Sequence, residues 1–274
     1  MMQQARDFLD ECDALHALVR PLSDDALLQA TAFKGWTIND VIGHLHTWNW
    51  AAYLSLTDEL RFLEFFGEVE GNVRSGTLRV FEKAWLKGLQ GHALLDVWHD
   101  FYGKMASGFG AADPSMRVKW AGPDMSVRSS ITARFMETWA HAQEIFDVLG
   151  VVRHNGDRIR NIVVLGVNTY GWTFRNRGEP VPDPMPHIRL TAPSGDIWEY
   201  GTASGGESIS GLAEEFCQVV TQTRNIADTR LRVIGPNATA WMAKAQCFAG
   251  PPEQPPAPGA RTTASDNAVA SRTP

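Results

Sequence analysis

The chain has 274 residues, 44% hydrophobic and 20% charged, with a formal net charge of -6 and a pI near 5.7. Such a composition excludes disorder throughout and allows one large domain or two smaller ones. Its 25 Lys and Arg residues are scattered rather than gathered on one stripe, so no nucleic-acid partner is expected.

The N-terminal stretch MMQQARDFLDECDALHALVR carries acids where a signal peptide carries bases. No apolar run approaches the roughly 18 residues of a membrane span, so the expectation is a cytoplasmic protein without membrane association. Residues 3–19 place Ala5, Phe8, Leu9, Cys12, Leu15, His16 and Val19 at three- and four-residue steps, one face of an amphipathic helix. A turn at Pro21-Leu22-Ser23-Asp24 follows. A second helix begins after Gly35-Trp36, with Thr37 as N-cap and Asp40 three residues on, and runs to about Thr57. Residues 75–106 form a third periodic region, interrupted near Gly88 and Gly91. A fourth helix spans Ser129 to Leu149 and stops at Gly150; a fifth covers Asp157 to Phe174.

Four prolines among residues 180–186 cannot continue a helix and predict an extended connector. Beyond it, HIRLTAPSGDIWEYG alternates around Pro193-Ser194-Gly195-Asp196 as a hairpin does. The glycine-rich GTASGGESISG fits no phosphate-binding or nucleophile-elbow motif and reads as a loop leading to a helix over 208–223, capped by Ser208. TRLRVIG predicts a strand, and Ala238 to Phe248 a last helix. From Pro251 the composition turns to Pro, Ala, Ser and Thr without an aromatic residue. The predicted organisation is a mainly α chain: a helical bundle over 1–179, a Pro-rich linker over 180–187, a small α+β domain over 188–250 and a disordered tail over 251–274. Cys12, Cys217 and Cys247, an odd number without a CxxC pair, read as buried small hydrophobes.

Chemistry concentrates in two helices. In GWTINDVIGHLHTWNW, helical phase puts His44 on one flank of the apolar arc and His46 on the other, and periodicity does not choose between them. In ARFMETWAHAQEIFD, Glu137 and His141 are four apart and project from one helix face. With one histidine of the second helix they make a His2Glu set with an open position, the arrangement of a catalytic rather than a structural zinc site. Glu144 and Asp147 lie nearby as orienting or solvated charges; His92 and His99, two turns apart, read as packing residues.

The stretches GWTINDVIGHLHTW, METWAHAQEIFDVLG and, near the end, GDIWEYG through AWMAKAQCFAG resemble the mycothiol-dependent maleylpyruvate isomerase family and, more broadly, the DinB-like metal-binding bundles. The likeness covers nearly the whole chain except the tail. It implies a four-helix bundle followed by a small α+β domain, with a divalent ion, usually zinc, on His44, Glu137 and His141. His44 follows Trp36-Thr37 by the family's interval, whereas His46 has no counterpart. It also implies a low-molecular-weight thiol, mycothiol or similar, deprotonated at the metal as the nucleophile for a small-molecule substrate. Arg224 matches the family's cleft arginine, which would hold a substrate carboxylate. A zinc-dependent thiol transferase or isomerase, monomeric or homodimeric, is the resulting expectation. The alternative is a thiol-independent metalloenzyme, or a non-catalytic ligand-binding or stress protein, on the same scaffold.

Overall fold

A computed structural model describes residues 1–203 and 206–261. Two compact units divide the chain, Met1–Ile145 and Phe146 onward.

The first unit contains α1 (Gln3–Val19), α2 (Asp24–Leu27), α3 (Ile38–Thr57), α4 (Glu59–Ser75), α5 (Leu78–Trp85), α6 (Gly91–Ala111), β1 (Arg117–Trp120), β2 (Gly122–Ser126) and most of α7 (Val127–Leu149). The long helices α1, α3, α6 and α7 form the expected bundle. Of the predicted stripe on α1, Ala5, Phe8, Cys12, Leu15 and Val19 are buried, and Leu9 and His16 at its edge are only partly so. Helix α3 opens on a complete capping box: Thr37 Oγ1 accepts from the Asp40 amide and Asp40 Oδ2 accepts from the Thr37 amide, each at 3.0 Å. Asp40 also ion-pairs with Arg79 at 2.7 Å and Lys83 at 3.1 Å, which ties α5 to the first turn of α3.

The sequence pattern predicts neither α4 nor the antiparallel pair β1 and β2. Helix α4 begins on Asp58, whose side chain accepts from the Arg61 amide, and ends on the left-handed Gly76. Its Phe62, Phe65 and Val69 pack with Trp48, Ala51 and Leu54 in a satellite core.

The second unit contains α8 (Arg160–Asn168), α9 (Tyr170–Arg175), β3 (His187–Thr191), β4 (Ile197–Tyr200), β5 (Ser208–Leu212), α10 (Ala213–Val220), β6 (Arg232–Ile234) and α11 (Pro236–Met242). Its four-stranded sheet has the order β4-β3-β5-β6; β3 and β4 form the predicted hairpin, and β3 and β5 are parallel. Among the described residues no helix is long and apolar enough to cross a membrane.

Four boundaries differ from expectation. Helices α8 and α9, placed by pattern in the bundle, belong to the second unit. There Gly166 lets α8 approach α10 closely, since a Cβ at that position would meet Phe216 and Val220 at 3.0–3.1 Å. The Pro-rich stretch consequently runs inside this unit rather than between units, and Tyr170 Oη donates to the Pro182 carbonyl at 2.9 Å. Residues 208–212 are a strand, so Ser208 caps no helix; backbone pairing with β3 decides there over helical spacing. The last helix stops at Met242.

The predicted tail is in part built. Gln246 Nε2 donates to the Pro251 carbonyl at 3.1 Å, Gln222 Nε2 to the Glu253 carbonyl at 3.1 Å and Asn225 Nδ2 to the Pro256 carbonyl at 2.8 Å. Side-chain amides thus hold its backbone where side-chain hydrophobicity gives no signal. Residues 262–274 of that predicted tail, and Ser204 and Gly205 of the glycine-rich loop, lie outside the described residues.

Candidate metal centre

His44 comes from the second turn of α3, and Glu137 and His141 from successive turns of α7. One ligand atom from each of the three lies within 4.8 Å of the other two. The ring centroids of His44 and His141 are 4.8 Å apart, and His141 Nε2 is 3.5 Å from Glu137 Oε2. Aromatic rings wall this group. Trp36 stacks on His141 at 6.0 Å and meets His44 edge-on at 5.2 Å, while Phe33 meets His141 edge-on at 5.1 Å. Phe33 and Trp36 precede the Thr37 cap, so the same box that starts α3 fixes the wall beside its histidine.

A buried acid orients His44. Its Nδ1 is 2.7 Å from Glu82 Oε1, which also accepts from Trp48 Nε1 at 2.9 Å. A histidine that donates one ring N–H to a carboxylate presents the other nitrogen as a lone-pair donor, and here that leaves Nε2. No motif in the sequence singles out Glu82. A signal for it exists: Leu78, Phe81, Glu82 and Trp85 occupy i, i+3, i+4 and i+7, so Glu82 is an acid within the apolar stripe of α5.

Charges in the group are set for cation binding. Burial disfavours the Glu137 carboxylate, but the His141 hydrogen bond and the charges of His141, Arg134 and His44 outweigh it and hold the pKa at about 2. Burial pushes His141 below the ordinary histidine range despite its Glu137 partner, which favours the neutral imidazole a metal requires. Two imidazoles and one carboxylate, with His44 held from behind by Glu82, fit a divalent cation with open positions.

His46 stands apart from this group. It is buried between Trp85 and Phe101, with ring centroids 5.8 and 5.5 Å away, and its Nδ1 has no hydrogen-bond partner among the described residues. Arg224 lies in the second unit and is buried there. Its Nη1 and Nη2 donate to the two oxygens of Asp147 at 2.7 Å each, and Nη1 also donates to the Thr223 carbonyl. The bidentate fork expected to meet a substrate thus holds a carboxylate of the chain itself. Of the remaining histidines, His92 Nε2 contacts the Leu22 carbonyl at 2.8 Å, and His99 lies tilted against His16, ring centroids 4.6 Å apart, at the surface rather than in the core.

Residues 8–146 match the family described as Mycothiol maleylpyruvate isomerase N-terminal domain. Two uncharacterized proteins of Mycobacterium tuberculosis, MT0041 of strain CDC 1551 / Oshkosh and Rv0036c of strain H37Rv, are each 36% identical over 247 residues, 90% of this chain and 95% of theirs. The crystal structure of the mycothiol-dependent maleylpyruvate isomerase is similar in fold, with a TM-score of 0.51 at 16% identity over 79% of this chain and 85% of that one. A mutant of that isomerase gives a TM-score of 0.52 at 14% identity, over 79% of this chain and 87% of its own.

Proposed function

Because the chain belongs to the mycothiol maleylpyruvate isomerase family, we propose that it is a metal-dependent enzyme that uses a low-molecular-weight thiol on a small-molecule substrate. His44, Glu137 and His141 hold a divalent cation, zinc, and the thiol is mycothiol or a close analogue. The reaction is thiol transfer or thiol-assisted isomerisation. The observation that carries this reading is the convergence of three ligand atoms from two helices to within 4.8 Å, one imidazole already backed by a buried acid.

When bound, zinc supplies a Lewis acid that lowers the pKa of a coordinated thiol, a group of ordinary pKa about 8.5. The chain's own residues do the rest. Glu82 takes the Nδ1 proton of His44 in a hydrogen bond and so fixes tautomer and ring plane. Trp36 and Phe33 keep water from one side of the two imidazoles. Arg224 enters as an exchangeable carboxylate binder: a substrate acid would have to displace Asp147 from its fork. The proposed setting is the cytoplasm, and the proposed state is a monomer or homodimer.

Metal analysis of the purified protein and of His44→Ala and His141→Ala tests the centre. Stoichiometric zinc in the wild type and its loss in both variants are expected; full occupancy in both variants would end the reading. Addition of mycothiol to cobalt-substituted protein should then produce a sulfur-to-cobalt absorption band. If cobalt binds and no band appears, a thiol-independent metalloenzyme or a ligand-binding protein on this scaffold is the better account.

A further inference from the structure

Arg134 lies one turn before Glu137 on α7 and is only 2% exposed within the bundle. Its Nε donates to Asn49 Oδ1 of α3 at 3.1 Å. Its Nη2 is sealed from solvent with no hydrogen-bond partner, and among the described residues the guanidinium forms no ion pair. Asn49 is fully buried as well. The Arg134 donor requires the amide oxygen of Asn49 on its side, so the opposite end is the Nδ2 donor, and that too is unpartnered. Glu137 and Glu82 act on Arg134 through charge without hydrogen-bonding to it.

A core built for packing alone does not hold this arrangement. A buried guanidinium with a donor left unpaired is unfavourable, and native interiors pair nearly all their polar atoms. Here two orphaned donors, one of them on a guanidinium that no carboxylate of the described residues hydrogen-bonds, belong to one hydrogen-bonded pair of residues. Both lack an acceptor, and one anionic group with two oxygens would serve the pair.

We infer that Arg134 and Asn49 form an anion seat in the bundle, which takes a carboxylate of the small-molecule ligand bound at the neighbouring His44, Glu137 and His141 group. The two carboxylate oxygens supply acceptors for the two orphaned donors, and the bond to the guanidinium is charge-assisted. Residues 134 and 137 are separated by roughly 4.5 Å along the helix axis, within the length of a small organic acid. The link to the substrate rests on the metal-centre reading above; the seat itself does not.

Calorimetric titration of the full chain with succinate, in zinc-loaded and metal-free forms, tests the seat, with succinamide as the neutral control. Succinate binding is expected, weakened at least tenfold by Arg134→Gln, with zinc content of the variant unchanged and no binding of succinamide. Asn49→Asp provides a second variant that does not depend on losing the arginine. It places a carboxylate beside the guanidinium from within the chain, and should raise Tm while abolishing succinate binding. Failure of the wild type to bind succinate in both forms, or wild-type affinity in both variants, overturns the seat. Succinate binding to a wild type that takes up no zinc would support the seat and sink the metal-centre reading.

Discussion

His44 and His46 are two residues apart, both buried, and helical phase treats them alike. What separates them is the chain that arrives from elsewhere: Glu82 and His141 meet one ring, Trp85 and Phe101 the other. The sequence carries the ligand types and the Glu137/His141 spacing, but not the long-range partner that selects a histidine, and only the family resemblance distinguishes His44 from His46 there. Two predictions follow at this scale. Glu82→Gln keeps the shape of the side chain and removes the charge behind His44. Metal affinity should fall by roughly 10- to 100-fold, measured by competition with a chelator, with helicity unchanged.

The second prediction concerns acid stability. Burial lowers the pKa of His46 from 6.5 to about 4. Between those values the unfolded chain binds a proton that the folded chain refuses, so stability falls as the pH drops through 6.5 and levels off near 4. The contribution is about 3 kcal/mol over the full window. His46→Phe, which suits the Trp85 and Phe101 neighbours, should therefore lose less stability than the wild type between pH 7 and pH 4.5 in urea titrations. It should also retain the metal; equal acid sensitivity in the two proteins would show that the ring is not buried neutral.

At the scale of elements, legibility followed local signals. The Thr37 and Asp40 box was legible because both of its bonds lie within four residues, and the hairpin because its turn residues flank alternating strands. Helix α4 was not, since Gly67 and Gly71 interrupt a pattern whose apolar residues serve a satellite cluster. Strand β5 has the pattern of a helix because Ile209 and Leu212 share spacing with the helix after them, and only pairing to β3 distinguishes the two. The Asp40 pairs give the capping box a second task. Arg79 and Lys83 flank Glu82 on α5, so the carboxylate that caps α3 also positions the acid behind its histidine. Asp40→Asn should lower stability by about 1 kcal/mol as a weakened cap. It should also reduce metal affinity, whereas a cap defect elsewhere, such as Ser23→Ala on α2, should cost stability without touching the metal. Equal metal affinity in Asp40→Asn and wild type would leave the Asp40 pairs with no bearing on the site.

For the whole molecule, the division into Met1–Ile145 and Phe146 onward puts all three proposed ligands, and Glu82 behind them, in the first unit. A cation held there joins α3 to α7, residues 44 and 141 bracketing most of that unit's chain. Binding to the folded state alone stabilises it by RT ln(1 + [L]/Kd), about 4 kcal/mol at a thousandfold excess over Kd. The second unit has its own fasteners, the Arg224–Asp147 pair and the Gly166 contact between α8 and α10, and none of them involves a proposed ligand. Zinc removal should consequently raise amide hydrogen exchange in α3, α5 and α7 up to Ile145, while exchange in β3, β5 and α10 stays near its zinc-loaded rate. Gly166→Val should do the reverse, loosening α8 and α10 by overpacking of about 1–3 kcal/mol and leaving zinc affinity intact. Peptide-resolved exchange by mass spectrometry distinguishes these outcomes. Uniform loosening of both units on chelation would mean that the metal acts on the chain as one cooperative body.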